Sequence, residues 1–150
     1  MKTRIGKTFR WEMGHRLPYH SGGCENIHGH SYRLWVEVIG EPDEQGMVID
    51  YYEIKAIVQP IIRQLDHSFL CDRSDTILCE FFQQHPHFKV QYVDFPTTAE
   101  NIAQHILSLL LPHFEQFPNI EEVRVRVAET ETTFAEVSAR LPNRVKQTQD

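Results

Sequence analysis

The sequence predicts an α+β domain, with helices on one face of a four-stranded antiparallel sheet. Three observations carry this reading. Four stretches alternate apolar and polar residues, two longer stretches repeat apolar residues at helical spacing, and their order is ββααββ. An insert, residues 71–95, separates the two helices.

Residues 7–15, KTFRWEMGH, put Phe9, Trp11, Met13 and His15 on one parity, with Thr8, Arg10 and Glu12 on the other. Residues 28–39 repeat the pattern, with His28, His30, Tyr32, Leu34, Val36 and Val38 together. LPYHSGGCEN between them is a loop by its Pro and Gly content, and GEPDEQG at 40–46 is a turn. IDYYEIKAIVQPIIRQL carries Ile54, Ile57, Val58, Ile61, Ile62 and Leu65 at three- and four-residue steps, so it is a helix. Asp50 is its expected N-cap, with Glu53 three residues on, and Pro60 should kink it. The second helix lies in PTTAENIAQHILSLLL, where Thr97 and Glu100 have capping-box spacing. EEVRVRVAE and TFAEVSARL are the closing strands. Within the insert, DTILCEFFQQ reads as a short helix and FKVQYVDF as a short strand. Residues 1–141 form the single domain and 142–150 a polar tail. The sheet edges invite pairing between subunits.

The bulk numbers narrow the function. A chain of 150 residues suits one core, and its 41% hydrophobic and 24% charged composition is that of an ordinary globular protein. A net charge of −6 disfavours nucleic acid as a partner. No apolar run suits a membrane span and the N-terminus lacks a signal-peptide core, so a cytoplasmic protein is expected. Three cysteines do not make a disulfide framework.

Nine histidines are many, and three of them are placed to meet. His28 and His30 are two apart on a strand and so share a face. A hairpin would bring His15, of the same parity, opposite them. Three imidazoles without a fourth protein ligand make the pattern of a catalytic zinc site with an open position. The alternatives are satisfied structural histidines, or a closed structural zinc site completed by Cys24.

GHRL, CENIHGH, GMVIDYYEIK, LDH, PTTAENIA and AET occur here in an order that resembles the 6-pyruvoyltetrahydropterin and 6-carboxytetrahydropterin synthases. The resemblance runs from about residue 5 to about residue 141. It implies the tunnelling fold, in which subunits join their sheets into a barrel. The assembly would be a homohexamer, a dimer of trimers, with active sites at subunit interfaces. It implies Zn2+ on His15, His28 and His30, Cys24 as catalytic thiol, and Asp66 and His67 as its acid–base partners from a neighbouring subunit. Glu129 would anchor the pterin ring, with Glu131 as its rival, and Thr98 and Glu100 would lie near the same pocket. The implied substrate is 7,8-dihydroneopterin triphosphate.

Three residues separate Cys24 from His28, which resembles the 6-carboxytetrahydropterin enzymes of 7-deazaguanine (queuosine) biosynthesis. The 6-pyruvoyl enzymes, which eliminate triphosphate, usually have a longer gap. A third branch has Glu-x-x-His-Gly-His and cleaves the side chain to 6-hydroxymethyldihydropterin, a folate precursor. Glu25 occupies that glutamate's place while Cys24 is kept, so the stretch carries both signatures and a bifunctional enzyme is a further reading. A pterin-binding module without catalysis is the non-enzyme alternative. Bland roles also stand: Asp66 and His67 ending a helix, Glu100 capping one, Glu25 facing water.

Overall fold

The structure is a computed structural model that describes residues 1–142; the polar tail expected beyond them lies outside the described residues. Its elements are β1 (Thr3–His15), β2 (His28–Gly40), α1 (Tyr51–Leu65), β3 (Ser68–Asp72), α2 (Thr76–Gln84), β4 (Val90–Val93), α3 (Ala99–Phe114), β5 (Ile120–Ala128) and β6 (Ala135–Arg140). The class is α+β, but among the described residues the sheet has six strands, in the order β4-β3-β1-β2-β5-β6, rather than the four expected; the two expected long helices are joined by a third, short one in the insert.

The expected antiparallel part, β1-β2-β5-β6, is present. The added strands come from β3 and the insert, and both run parallel, β3 against β1 and β4 against β3, which makes the sheet mixed. Strand β3 escaped the alternation test for a physical reason. Ser68, Leu70, Cys71 and Asp72 are all buried, so its five residues show no polar face. The short helix and strand expected in the insert do form, as α2 and β4.

Helices α1 and α3 cover one face. The inward residues Phe9, Trp11, Tyr32, Leu34, Val36, Val123 and Val125 meet Ile54, Val58, Ile102, Ile106 and Leu110 in one core. Full burial of each large side chain contributes about 1.5–3 kcal/mol, which fixes the parity of every central strand. Asp50 caps α1 as expected, accepting from the Tyr52 N–H at 2.8 Å. Helix α1 runs through Pro60 to Leu65; Pro60 and Ala56 are exposed, so water can reach the carbonyl that proline leaves unpaired. The cap of α3 differs from expectation. Thr98, not Thr97, accepts from the Asn101 N–H, at 3.2 Å, so the Thr97–Glu100 capping box is not formed.

Candidate metal centre and active site

The β1–β2 hairpin places His15 directly opposite His28 and Met13 opposite His30. Strand parity turns all three imidazoles to the same side, and one ring nitrogen from each lies within 4.8 Å of the others. Gly29 takes the opposite parity, where a Cβ would stand 2.9 Å from the Met13 carbonyl oxygen; the close strand approach at this end of the hairpin favours glycine.

Hydrogen bonds decide which nitrogens are free. His15 Nδ1 donates to the Thr97 carbonyl at 2.8 Å, and His28 Nδ1 donates to the Asn26 carbonyl at 2.7 Å. A carbonyl only accepts, so both Nδ1 atoms carry the proton and both Nε2 atoms keep a lone pair. The Nε2 atoms of His15, His28 and His30 are all buried without a hydrogen-bond partner. Three buried ring nitrogens without partners, within 4.8 Å of one another, are costly unless a cation takes them, and the three-imidazole donor set is one that fits zinc with an open position.

Electrostatics favours the ligating form. Burial foremost, then the neighbouring His28 and His30, lowers the His15 pKa to about 4, against the opposing Thr97 bond. Burial, then His28, also lowers that of His30. Both imidazoles are therefore neutral near pH 7.

Glu129, just past the end of β5, closes one side. Its Oε1 lies 3.8 Å from His15 Nε2 and its Oε2 3.8 Å from His30 Nε2. Burial raises the Glu129 pKa; His28 opposes this and Glu100 adds to it. Glu100, in the first turn of α3, thus reaches the field of the site although it closes no capping box. Glu131 shares a cavity of about 260 Å³ with Glu129, Arg10 and Arg33, but it is exposed, and Glu129 is the one against the histidines. Tyr32, fully buried, forms the floor, with its ring 5.4 Å from His30 and 6.2 Å from His15.

Cys24 is a free, half-buried cysteine in a short 3-10 turn, Gly23–Glu25, and its carbonyl accepts from the Leu17 N–H at 2.7 Å. Glu25 is exposed, with its carboxylate in the field of Arg16. Asp66 and His67 follow α1. Asp66 Oδ1 accepts from the Glu12 N–H at 2.9 Å and lies 3.0 Å from His67 Nδ1. These contacts lower the Asp66 pKa, the Glu12 N–H foremost. His67 adopts φ 56°, rare for a residue with a Cβ, and its N–H donates to the Glu12 carbonyl at 2.7 Å. Its side chain is 76% exposed and borders a cavity of about 330 Å³ whose wall includes Gly29, His30 and Ser31.

The structure thus gathers His15, His28, His30 and Glu129, with Glu100 nearby. The Asp66–His67 pair is held on the Glu12 backbone, with His67 and His30 lining one cavity. Thr98 is occupied as a cap, and Thr97, fully buried, is the residue that sequence reasoning missed. Its carbonyl orients His15, and its Oγ1 donates to the Arg16 carbonyl at 3.3 Å. The adjacent threonines PTT were the available signal, read one residue out of step.

Known proteins resemble this chain. The chain is 37% identical over 140 residues to a 6-carboxy-5,6,7,8-tetrahydropterin synthase of Haemophilus influenzae, covering 89% of this chain and 96% of that protein. It is 35% identical over 158 residues to a protein of the same description from Aquifex aeolicus, covering 91% and 98%. Among solved structures, a Plasmodium vivax 6-pyruvoyltetrahydropterin synthase, studied as a variant of a catalytic glutamate, superposes with a TM-score of 0.75 at 17% identity, covering 93% and 99%. An uncharacterized Wolinella succinogenes protein gives 0.77 at 21% identity, covering 91% and 98%. At those identities the structures speak for the fold alone. Residues 4–140 match the sequence profile described as 6-pyruvoyl tetrahydropterin synthase, and the chain belongs to that family.

Proposed function

We propose that this chain is a zinc-dependent 6-carboxy-5,6,7,8-tetrahydropterin synthase acting in the cytoplasm on 7,8-dihydroneopterin triphosphate. The observation that carries the reading is the set of three orphaned Nε2 atoms with Glu129 against them, in a chain whose curated relatives bear that description at 35–37% identity. Among the described residues, no helix is long and apolar enough to cross a membrane.

His15, His28 and His30 would hold Zn2+, which when bound supplies Lewis acidity toward a hydroxyl-bearing side chain. Glu129 accepts hydrogen bonds from the amino and ring N–H groups of the pterin, and so fixes the face presented to the metal. Cys24 Sγ takes and returns a proton on the substrate side chain. Asp66 Oδ1, held by the Glu12 N–H, faces His67 Nδ1 and leaves the other ring nitrogen of His67 to exchange protons. The high exposure of His67 supports its serving the thiol of a neighbouring subunit, within a tunnelling-fold homohexamer.

The second reading is side-chain cleavage to 6-hydroxymethyldihydropterin, with Glu25 as base. Glu25 lies in the same turn as Cys24, three residues before His28, which keeps this reading open. Incubation with 7,8-dihydroneopterin triphosphate and chromatographic identification of the product separates the two. The 6-carboxy product is expected, with Cys24→Ala reducing it by about 100-fold or more. A dominant hydroxymethyl product that depends on Glu25 would install the second reading, and an accumulating 6-pyruvoyl product would point to triphosphate elimination alone. No turnover at any zinc loading would leave only a pterin-binding module.

A further inference from the structure

The insert joins the site through one buried ion pair. Asp75, the residue before α2, accepts from Arg16 Nε at 2.6 Å and from Arg16 Nη2 at 2.8 Å. Both side chains are withdrawn from water, at 4% and 16% exposure. A two-point carboxylate contact fixes the plane of the guanidinium, and therefore the direction of its remaining nitrogen. That nitrogen, Nη1, meets the Glu25 carbonyl at 3.4 Å, in the turn that carries Cys24. The Arg16 main chain is held from the other side by Thr97 Oγ1, the same threonine that orients His15. Beyond Arg16, the Leu17 N–H donates to the Cys24 carbonyl at 2.7 Å. The route from Asp75 to the thiol-bearing turn is thus one side chain and one hydrogen bond long.

We infer that Asp75 is a positioning residue: through Arg16 it fixes the Gly23–Glu25 turn, and so sets Cys24 against the metal centre. This gives the insert a role in the reaction without a contact to substrate. It rests on the proposed catalytic role of Cys24. Asp75 also accepts from the Leu78 N–H at 3.3 Å as the cap of α2, so the test must separate the two duties.

Asp75→Asn does so, because asparagine caps a helix as well as aspartate but cannot make the charged fork. Arg16→Lys keeps the charge and loses the fork. Expected for each is a fall in kcat of about tenfold or more, with KM little changed. A changed rate of Cys24 alkylation by iodoacetamide should accompany it, at unchanged zinc content and far-UV circular dichroism. The double variant Arg16→Gln/Asp75→Asn should be no worse than Arg16→Gln alone, because the second change acts only through the first. Wild-type kcat and Cys24 alkylation in Asp75→Asn, or additive losses in the double variant, would overturn the inference. Should Asp75→Asn not fold, Arg16→Lys decides by the same two readouts. Full turnover in Cys24→Ala would remove the thiol from the mechanism; the clamp on the turn would still be judged by the alkylation rate in the Asp75 and Arg16 variants.

Discussion

His15 is 1% exposed and its pKa is lowered from 6.5 to about 4, and this has a measurable cost in acid. In the unfolded chain the same imidazole titrates near its ordinary value. Between the two values the unfolded state binds more protons than the folded one, so stability falls as pH falls. The contribution of His15 is fully present above 6.5 and is lost as pH drops toward about 4. Moving metal-free protein from pH 7 to about pH 5 should therefore cost about 2 kcal/mol through His15 alone. Urea unfolding after chelation, at both pH values, measures it. The His15→Asn variant, which keeps a donor for the Thr97 carbonyl, should lose that part of the slope while His30 and His105 retain theirs. Zinc should steepen the wild-type loss, because protons and metal compete for the same lone pairs. An equal pH slope in wild type and His15→Asn would refute the placement of a buried, neutral His15.

The protein as purified should hold about one zinc per chain, and His28→Ala/His30→Ala should hold none, by metal analysis after dialysis. Iodoacetamide should label Cys24 faster than Cys71, which is buried with its thiol pushed up to about 12, and faster than Cys79, whose thiol is turned to the Asp72 and Arg73 carbonyls; peptide mapping of the folded protein reads the order. Lys89 Nζ donates to the Arg63 and Asp66 carbonyls at 2.7 and 2.6 Å, closing α1 just before His67. Lys89→Met should cost about 1–2 kcal/mol in thermal unfolding and lower kcat through a loosened His67.

The hairpin and its histidines were legible because alternation over a long strand fixes both parity and face, and the observed register pairs His15 with His28. The apolar stripes of α1 and α3 were equally plain. What escaped notice joins residues distant in the chain. Arg16 with Asp75, and Lys89 with the end of α1, are 59 and 23–26 residues apart, and no local pattern announces such pairs. Strand β3 was hidden by its burial, and Thr97 by an identical neighbour. Asp66 was open to the plain reading of a helix end, and it does cap α1; the left-handed backbone at His67 and the hydrogen bond to Glu12 are features that no local pattern announces.

The pairing of His15 with His28 across the hairpin bears on how this chain can change over evolutionary time. The segment between them, residues 16–27, bridges two strand ends that stay adjacent whatever its length. Insertions and deletions there would leave the ligand set in place. A single-residue gain or loss inside β1 or β2 is another matter, because it turns every later side chain to the opposite face. One histidine would then point away from the other two, and the core would be inverted along with it. Length variation between lineages should therefore gather in the loop and be absent from the strands, with the metal site and the hydrophobic core inherited as one linked character.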